Sequence, residues 1–471
     1  MTRAVVVGSG PNGLAAAVTL AAAGVRVTVI EASGTLGGGT RSSELTLPGL
    51  LHDECSGFHP LLLGTPFADR YDLAGAGLRL RWADAEFSHP LDGGGGATLC
   101  RSVEATAAAL GRDAAAWRQV FDPLTRRFDA IGTEFLQPAL HVPRHPVSFA
   151  RFGLRAAPPV AVLGRRWRTP EARALFGGAA AHALRPFGSV LSSAIGVALT
   201  TAAHARGWPV AEGGSAAIRD AVLVRAREHG VTTETGREVT RLDELGDADI
   251  VMLDTSPAAA LRIAGHRRPA RVRRAYRRFR HGPGAFKVDF AVAEGVPWTH
   301  EPARRAGTVH LGGGFEEMAA TERQITAGRM PERPFVLVGQ QYLADEKRSA
   351  GDVHPLYAYA HVPAGYAGDA TEAITAQIER FAPGFRDRVQ ATHVRSTTEM
   401  ARHNANYVGG DIVTGANTPS QLVFRPRVGL DPYATGAPGV YLCSAATPPG
   451  AGAHGMCGYN AARSALRALN R

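Results

Sequence analysis

Lysine is almost absent from this chain of 471 residues. Lys287 and Lys347 are the two lysines among 52 basic residues, and the other fifty are arginines. Arginine stays protonated in proteins, whereas a buried lysine can lose its proton or hold a water molecule closely. Lys347 lies in the polar stretch ADEKRS, which predicts an exposed loop. A lysine elsewhere in the chain therefore needs its own explanation.

Cysteine is scarce as well, with residues at positions 55, 100, 443 and 457. No two of them stand in a CxxC spacing, so the sequence predicts neither a metal site nor a dithiol redox centre. Few unpaired cysteines are typical of a reducing compartment, and we expect a cytoplasmic protein.

Long hydrophobic runs are also missing. No stretch approaches the roughly 20 apolar residues that a membrane-spanning helix needs. The opening MTRAVVVGSG lacks the charged region, apolar run and cleavage site of a signal peptide. The net charge is +10, but the arginines are spread along the chain and no basic helix with interleaved aromatics stands out. Nucleic acid is therefore not an expected partner.

The composition that remains is that of an ordinary globular protein, with 45% hydrophobic and 20% charged residues. A chain of this length can bury a large core and is long enough for two or three domains.

The amino terminus carries a dinucleotide-binding pattern. Residues 4–7 form a short apolar run, and Gly8, Gly10 and Gly13 follow in a GxGxxG spacing before an Ala-rich helix. The first glycine permits a tight turn, the second lets a diphosphate approach the backbone, and the third packs helix on strand. A second apolar strand ends at Glu31, where a carboxylate can hold the ribose hydroxyls.

The residues after Glu31 favour FAD over NAD. A glycine cluster at 37–39 and Arg41 come just beyond the acidic residue. An NAD domain would normally continue with further β-α units here. A glycine turn lying over the diphosphate suits a longer and permanently buried cofactor, so we expect FAD.

The carboxy terminus repeats the GxGxxG spacing at Gly450, Gly452 and Gly455 between a strand at 440–443 and a helix at 459–469. Only 16 residues follow Gly455, too few for a second β-α-β unit. The pattern predicts a helix amino terminus, whose free N–H groups and dipole suit the negative end of a reduced isoalloxazine. A plain glycine-rich packing turn is the alternative.

Several stretches together resemble a known family. VVVGSGPNGLAAA, LGGGTRS, HDECSGFHP, GWPVAEGGSAAI and YLCSAATPPGAGAHGMCGYNAA are similar to the phytoene-desaturase-like branch of the flavin amine-oxidase superfamily. That branch includes carotenoid desaturases, carotenoid isomerases and retinol-saturase relatives. The resemblance covers the whole chain and is strongest in the first 60 and last 35 residues.

The resemblance implies an α/β fold in which a Rossmann-type FAD-binding domain is interleaved with a substrate domain of mixed sheet and helices. The FAD-binding domain would comprise residues 1–115, 205–285 and 415–471. The substrate domain would comprise residues 116–204 and 286–414.

The resemblance also implies which residues meet the cofactor. Ser56, Gly57 and His59 would lie along the flavin edge, with His59 a catalytic candidate. The adenine would contact the backbone of Val239, and Ser444 would lie near the ribityl chain. The remaining implied cofactor contacts are Gly38, Gly39, Arg41, Gly455 and Met456.

Lys287 stands in GAFKVDFAV, where Phe286, Val288, Phe290 and Val292 alternate as in a half-buried strand. The alternation places Lys287 and Asp289 on the opposite face. Relatives in the amine-oxidase superfamily carry a lysine on a matching strand, bonded through water to flavin N5. We therefore expect a catalytic, flavin-facing Lys287, with a lysine that extends to solvent as the alternative.

Other polar residues in the middle of the chain are candidates for substrate contact, although each is more simply read as structural. They are His310, Tyr357, Tyr359, His361, Asn404, Asn406 and Asp411. His454 differs, because the carboxy-terminal glycine turn would place it beside the flavin.

Two arginine-rich stretches bear on partners. Residues 146–176 mix apolar residues with arginines and could cover a lipophilic tunnel or contact a membrane, although Pro158-Pro159 break any long amphipathic helix. Residues 266–281 are expected to form a solvated helix face, with an anion-binding role as the alternative.

The sequence thus predicts an FAD-dependent desaturase or oxidase of a lipophilic, polyene- or terpenoid-like metabolite. No second nicotinamide domain is visible, so electrons would leave to oxygen, a quinone or a partner protein. The alternatives are a redox-neutral isomerase that uses reduced FAD and a non-catalytic flavin-binding scaffold.

Overall fold

The computed structural model describes residues 1–469. The strands are β1 (Arg3–Val7), β2 (Arg26–Ile30), β3 (Ser42–Glu44), β4 (Leu51–Asp53), β5 (Leu80–Arg81), β6 (Ala85–Pro90), β7 (Gly96–Leu99), β8 (Val210–Ala211), β9 (Thr232–Glu234), β10 (Ile250–Leu253), β11 (Gly284–Ala293), β12 (Ala306–Leu311), β13 (Val336–Gly339), β14 (Val353–Val362), β15 (Val389–Arg395) and β16 (Val440–Leu442).

The helices are α1 (Pro11–Ala21), α2 (Pro66–Arg70), α3 (Val103–Ala109), α4 (Ala114–Thr125), α5 (Phe128–Phe135), α6 (Pro146–Ala156), α7 (Val160–Leu163), α8 (Pro170–Ala181), α9 (Ser193–Arg206), α10 (Ala216–Glu228), α11 (Pro257–Ala264), α12 (Ala270–Arg277), α13 (Phe315–Thr326), α14 (Thr371–Phe381), α15 (Phe385–Arg388), α16 (Thr397–His403), α17 (Pro419–Phe424) and α18 (Met456–Leu469). None of these helices is long and apolar enough to cross a membrane.

One sheet is wholly parallel, with strand order β16-β10-β1-β2-β9. Strands β1, β2, β10 and β16 are rich in aliphatic residues and largely buried, as expected for a sheet that helices cover on both faces, whereas the edge strand β9 is exposed. Residues of α1, α10 and α18 pack on one face, and residues of α11 and α12 pack on the other. This arrangement confirms the predicted Rossmann-type fold.

The second sheet is mixed and has the strand order β15-β11-β14-β13-β12-β6-β7. Its pairs are antiparallel except for β12 with β6. Helices α4, α6, α8 and α9 contribute to the hydrophobic cluster on one face, and α14 contributes to the cluster on the other. The predicted mixed-sheet and helical part of the fold is therefore confirmed.

The strands β6 and β7 belong to the mixed sheet, although they lie within the segment 1–115 that the sequence assigns to the FAD-binding domain. The domain boundaries themselves stay a prediction. Two element bounds differ from expectation. Helix α18 begins at Met456 rather than at residue 459, and β6 begins at residue 85, well inside the segment assigned to the FAD-binding domain.

Strand β11 is buried on both faces rather than half-buried. Phe286, Val288, Phe290 and Val292 pack in the cluster under α14, whereas Lys287 on the opposite face is 1% exposed. The predicted placement of Lys287 opposite the four apolar residues is confirmed, and the alternative of a solvent-exposed lysine is wrong. The segment with His52 and Cys55 covers the Lys287 side of β11, so alternation along this strand separates two buried faces rather than an interior from solvent.

Candidate functional site

A cavity of about 620 Å³ lies where the two ends of the chain meet the mixed sheet. The amino-terminal loop contributes Gly10 and Asn12 to its wall, and the carboxy-terminal turn contributes residues 448–454. The sheet contributes Leu337, Tyr357 and Tyr359. The cavity is therefore bounded by both regions that the sequence analysis singled out.

The glycines of the amino-terminal loop are required by close backbone approaches. Gly8 has a φ of +98°, and a Cβ at Gly13 would lie 2.2 Å from the carbonyl oxygen of Gly8. A Cβ at Gly10 would lie 2.6 Å from Oδ2 of Asp254, and Gly10 lines the cavity. The loop therefore has the tight turn and the helix-on-strand packing that the GxGxxG spacing predicts.

The glycine turn at 37–39 lies against this loop. Gly38 has a φ of +56°, and a Cβ there would be 2.8 Å from Cα of Gly10. The N–H of Ser56 donates to the carbonyl of Gly39, and Ser56, Gly57 and Gly39 all line the cavity. Arg41 lies behind the wall, where its guanidinium donates to the carbonyl of His403.

Two residues proposed for the adenosine end lie outside the cavity lining. Glu31 follows β2, and its carboxylate accepts hydrogen bonds from the backbone N–H and hydroxyl of Ser9 and from the N–H of Ser33. Val239 is buried in the cluster on the α11 face of the parallel sheet. These contacts fix the Glu31 carboxylate next to the first glycine loop, and the roles of both residues stay predictions.

Asp254 is a charged neighbour of the glycine loop that the sequence analysis missed. It follows β10, and its Oδ2 accepts a hydrogen bond from the N–H of Gly13, 2.9 Å away, in the first turn of α1. Burial raises the pKa of Asp254 to about 7, with a further increase from Glu31, although the N–H groups of Gly13 and Gly10 oppose the rise. The rule that ligands bind at the carboxyl ends of parallel strands could have identified it.

The carboxy-terminal turn leads directly into α18 and caps its first N–H group. The N–H of Met456 donates to Nδ1 of His454, and both side chains are buried. His454 and Ser444 line the cavity, whereas Gly455 packs against Phe67. Burial lowers the pKa of His454 to about 4, so its imidazole is neutral at pH 7.

The two ends of the chain are locked together at Gly458. A Cβ on this residue of α18 would lie 1.7 Å from the carbonyl oxygen of Asn12 in α1. Only glycine permits this approach of backbone to backbone. Asn12 lines the cavity, is buried, and has no hydrogen-bond partner at Oδ1. A buried acceptor of this kind is a candidate contact for a ligand.

His59 lines the cavity with neither ring nitrogen hydrogen-bonded, although the residue is 3% exposed. Burial lowers its pKa to about 4, while Asp53 acts in the opposite direction. The neutral imidazole thus offers one donor and one acceptor to a ligand.

Lys287 lies behind the cavity wall. Its ammonium donates to both carboxylate oxygens of Asp289 and lies 4.4 Å from the ring centroid of Tyr357, which lines the cavity. Burial lowers the pKa of Lys287, although Asp289 opposes the shift. Burial would raise the pKa of Asp289, but Lys287 and neighbouring His52 and His393 hold it low. The catalytic role of Lys287 stays a prediction.

The middle-segment candidates divide into two groups. Tyr357, Tyr359, Asn404 and Asn406 line the cavity. The others lie outside its lining and have internal partners: His361 pairs with Glu322, His310 with His182, and Asp411 accepts from the N–H of Gly282. The second arginine-rich stretch includes α12, in which Val272 and Tyr276 are buried and the arginines are exposed or partly exposed. Arg268, just before the helix, is buried, so the expected solvated face does not extend over the whole stretch.

The residues present fit a bound dinucleotide. The glycine loop, the free Oδ1 of Asn12 and the amino termini of α1 and α18 meet at one side of the cavity, and Glu31 stands at the end of β2. Helix amino termini and close-approach glycines are the features that bind a diphosphate. Asp254 is the exception, because an ionised carboxylate at the same loop would oppose an anion.

Comparisons with known proteins agree with this architecture. Residues 6–64 match the family described as an NAD(P)-binding Rossmann-like domain. Over 299 residues the chain is 30% identical to a hydroxyneurosporene desaturase of Cereibacter sphaeroides, a match that spans 55% of this chain and 57% of that protein. Over 93 residues it is 37% identical to the mouse pyridine nucleotide-disulfide oxidoreductase domain-containing protein 2, spanning 20% of this chain and 16% of that protein.

Solved structures share the fold over the full chain. A putrescine oxidase has a TM-score of 0.62 at 17% identity, with 100% of this chain and 99% of that chain covered. A cyclohexylamine oxidase from Brevibacterium oxydans has a TM-score of 0.58 at 16% identity, with both chains fully covered. The fold is thus that of these amine oxidases. Together with the desaturase match, it confirms the predicted resemblance to phytoene-desaturase-like FAD oxidoreductases.

Proposed function

We propose that this chain, built on the amine-oxidase fold and similar in sequence to a desaturase, is an FAD-dependent oxidoreductase. Its proposed reaction is the dehydrogenation of a lipophilic, polyene- or terpenoid-like metabolite by hydride transfer to flavin N5. The observation that carries the proposal is one cavity that joins a dinucleotide-binding loop to a largely apolar chamber. Apolar lining residues include Phe135, Phe149, Phe152, Ile195, Leu199 and Leu337.

In this proposal the amino-terminal loop, the 37–39 turn and Glu31 hold FAD, and the amino terminus of α18 faces its ring. Bound FAD would supply a two-electron acceptor at the isoalloxazine. The proposed contacts are Gly8, Gly10, Gly13, Glu31, Gly38, Gly39, Arg41, Ser56, Gly57, Val239, Ser444, Gly455 and Met456. The buried position of the loop favours a cofactor that stays bound.

The chain's own residues would bind the substrate and exclude water. Aromatic and aliphatic walls bury a lipophilic molecule, with a stabilisation of about 25 cal/mol per Å² of apolar surface removed from water. His59, whose two ring nitrogens have no hydrogen-bond partner, is proposed to accept the proton that the substrate loses. His454 holds the first N–H of α18, and Lys287 is proposed to act on the site through Tyr357.

The experiment is anaerobic mixing of the purified protein with polyene and terpenoid metabolites while the flavin absorbance is recorded. Loss of the oxidised flavin spectrum, with a product two hydrogens lighter, supports the dehydrogenase. Turnover that requires prior reduction by dithionite, with a product of unchanged mass, supports the isomerase instead. A stable flavin spectrum and no product with any of these compounds favours the scaffold. Reoxidation with oxygen or a quinone then identifies the electron acceptor.

We also propose that the protein contacts a membrane surface beside the cavity. Val142 is 90% exposed and Leu154 on α6 is 76% exposed, while Phe149 and Phe152 of the same helix line the cavity. Residues 136–169 contain six arginines and no acidic residue. Exposed apolar side chains among basic ones are typical of a surface that binds anionic lipid.

Vesicle flotation tests this contact. The protein should float with phosphatidylglycerol-containing vesicles and less with pure phosphatidylcholine vesicles. Val142→Asp with Leu154→Asp should abolish flotation, whereas Leu469→Asp, at an exposed leucine of α18, should not. Equal flotation of the double variant would contradict the proposal.

A further inference from the structure

The cavity lining is largely apolar but includes several polar side chains. Four of these lining residues form a patch that we call the polar wall: His59, His182, Trp208 and Tyr359. The backbone connects two of them, because the N–H of His59 donates to the carbonyl of Pro209, next to Trp208. The rings of His182 and Trp208 meet edge to face with centroids 5.9 Å apart.

The mixed sheet holds this patch from behind. Across neighbouring strands, Tyr359 stands opposite Leu337, and Leu337 stands opposite His310. Residues directly opposite in a sheet share a face, so His310 and Tyr359 project to the same side. Nε2 of His182 lies 3.0 Å from Nε2 of His310. His310 thus orients the imidazole that lines the cavity.

Polar atoms of the wall lack partners within the protein. The indole N–H of Trp208 is buried and unpaired, as are both ring nitrogens of His59. Leaving a buried polar atom without a partner is unfavourable. An indole N–H can only donate, so the missing partner of Trp208 is an acceptor.

The chemistry of the wall restricts that partner further. Burial lowers the pKa of His182 to about 3 and that of His59 to about 4, so both imidazoles are neutral at pH 7. A carboxylate here would be a buried charge facing neutral groups, which is unfavourable. A hydroxyl or carbonyl oxygen accepts from the indole without carrying a charge into the cavity.

We propose that the polar wall binds a neutral oxygen function, a hydroxyl or carbonyl, on an otherwise apolar ligand. The inference rests on the proposed function and narrows its substrate class from lipophilic metabolites in general to oxygenated ones. A pure hydrocarbon would leave the indole N–H of Trp208 and the ring nitrogens of His59 unpaired, and would bind more weakly for that reason.

The test compares farnesol with farnesene, its hydrocarbon counterpart, as probes. Equilibrium dialysis against the purified protein, with each probe quantified by mass spectrometry, gives both dissociation constants. One recovered hydrogen bond contributes about 0.5–1.5 kcal/mol, so farnesol should bind about 2- to 13-fold more tightly. Trp208→Phe should remove most of this preference and leave farnesene binding nearly unchanged.

The matched control is Trp167→Phe, which deletes another buried and unpaired indole N–H at a residue outside the cavity lining. It should keep the preference for farnesol. His182→Phe is a second variant that should also reduce the preference for farnesol. With two variants, a folding defect in one of them does not prevent the test. Circular dichroism and the flavin content check that each variant is folded.

Equal affinity of the wild type for both probes would overturn the inference while leaving FAD-dependent dehydrogenation standing. An unchanged preference in both Trp208→Phe and His182→Phe would overturn it as well. Failure of the proposed function would be recognised differently, as a protein that lacks flavin or whose flavin is not bleached by substrate. The dialysis measures ligand binding at the polar wall in either case.

Discussion

The two sheets border the same cavity and contribute different chemistry to it. The parallel-sheet region contributes mainly backbone: close-packed glycines and the amino termini of α1 and α18. The mixed-sheet region contributes side chains such as Tyr357 and Tyr359, with the buried pair of Lys287 and Asp289 behind them. Backbone groups carry fixed partial charges, whereas the side chains titrate and pair. A substitution should therefore act through sterics in the first region and through charge in the second.

Lys287→Met should have the largest effect. It leaves Asp289 as a buried carboxylate without its main counter-charge, which costs about 3–5 kcal/mol of unfolding free energy. Urea denaturation measures the loss. Replacing both residues, as Lys287→Met with Asp289→Leu, should recover most of the stability, because removing a buried pair entirely is often neutral. Equal losses in the single and double variants would contradict the charge argument.

The same variants test whether Lys287 also takes part in the flavin reaction. If Lys287 acts on the flavin through Tyr357, the double variant should be stable yet slow in flavin reduction or reoxidation. Stopped-flow rates equal to wild type in the stable double variant would show that the lysine serves the fold alone.

Gly458→Ala should have the next largest effect, on the parallel-sheet side. The added methyl group would meet the carbonyl oxygen of Asn12 at 1.7 Å, so α1 and α18 must separate. Overpacking of this kind costs about 1–3 kcal/mol and should also weaken cofactor binding. The matched control is Gly132→Ala in α5, where a Cβ has nothing within 4 Å and the stability should stay equal or rise. Similar losses in both variants would contradict the steric argument.

Asp254 is an exception to this division, because it is a titrating side chain in the region that otherwise contributes backbone groups. Its pKa of about 7 in the folded protein exceeds the value of about 3.9 expected on unfolding. Its stabilising contribution is therefore complete below about pH 4 and is lost as the pH rises through 7. Between pH 6 and pH 8 the loss is about 1.4 kcal/mol.

Asp254→Asn should remove this part of the pH dependence of cofactor-free stability, which denaturation at pH 6 and pH 8 measures. The exposed Asp69→Asn serves as the control. The affinity of Asp254→Asn for a diphosphate cofactor should also depend less on pH than that of the wild type. If both variants keep the wild-type profile, Asp254 is not the titrating group.

The parallel-sheet region was predictable because its constraints are local. The GxGxxG spacing predicted the tight turn at Gly8 and the helix-on-strand packing at Gly13, and the second glycine pattern predicted a helix amino terminus near Gly455. Asp254 was missed because its burial depends on α1 and β10 meeting across 241 residues.

The mixed-sheet region was less predictable because its contacts join distant segments. Alternation along β11 assigned Lys287 to the correct face, yet nothing local shows that the distant segment with His52 and Cys55 covers this face. The polar wall joins residues 59, 182, 208 and 359 from four separate segments. Its signal is a set of unpaired buried atoms, which a sequence does not contain.

The central claim is that the two ends of the chain together hold one FAD. Its most direct test is the absorbance spectrum of the purified protein, with the released cofactor identified by mass spectrometry and counted per chain. We predict one FAD per chain, with uptake of added FAD by cofactor-free protein and no competing uptake of NAD. A colourless protein that stays colourless after incubation with FAD, or one that takes up NAD instead, would contradict the claim.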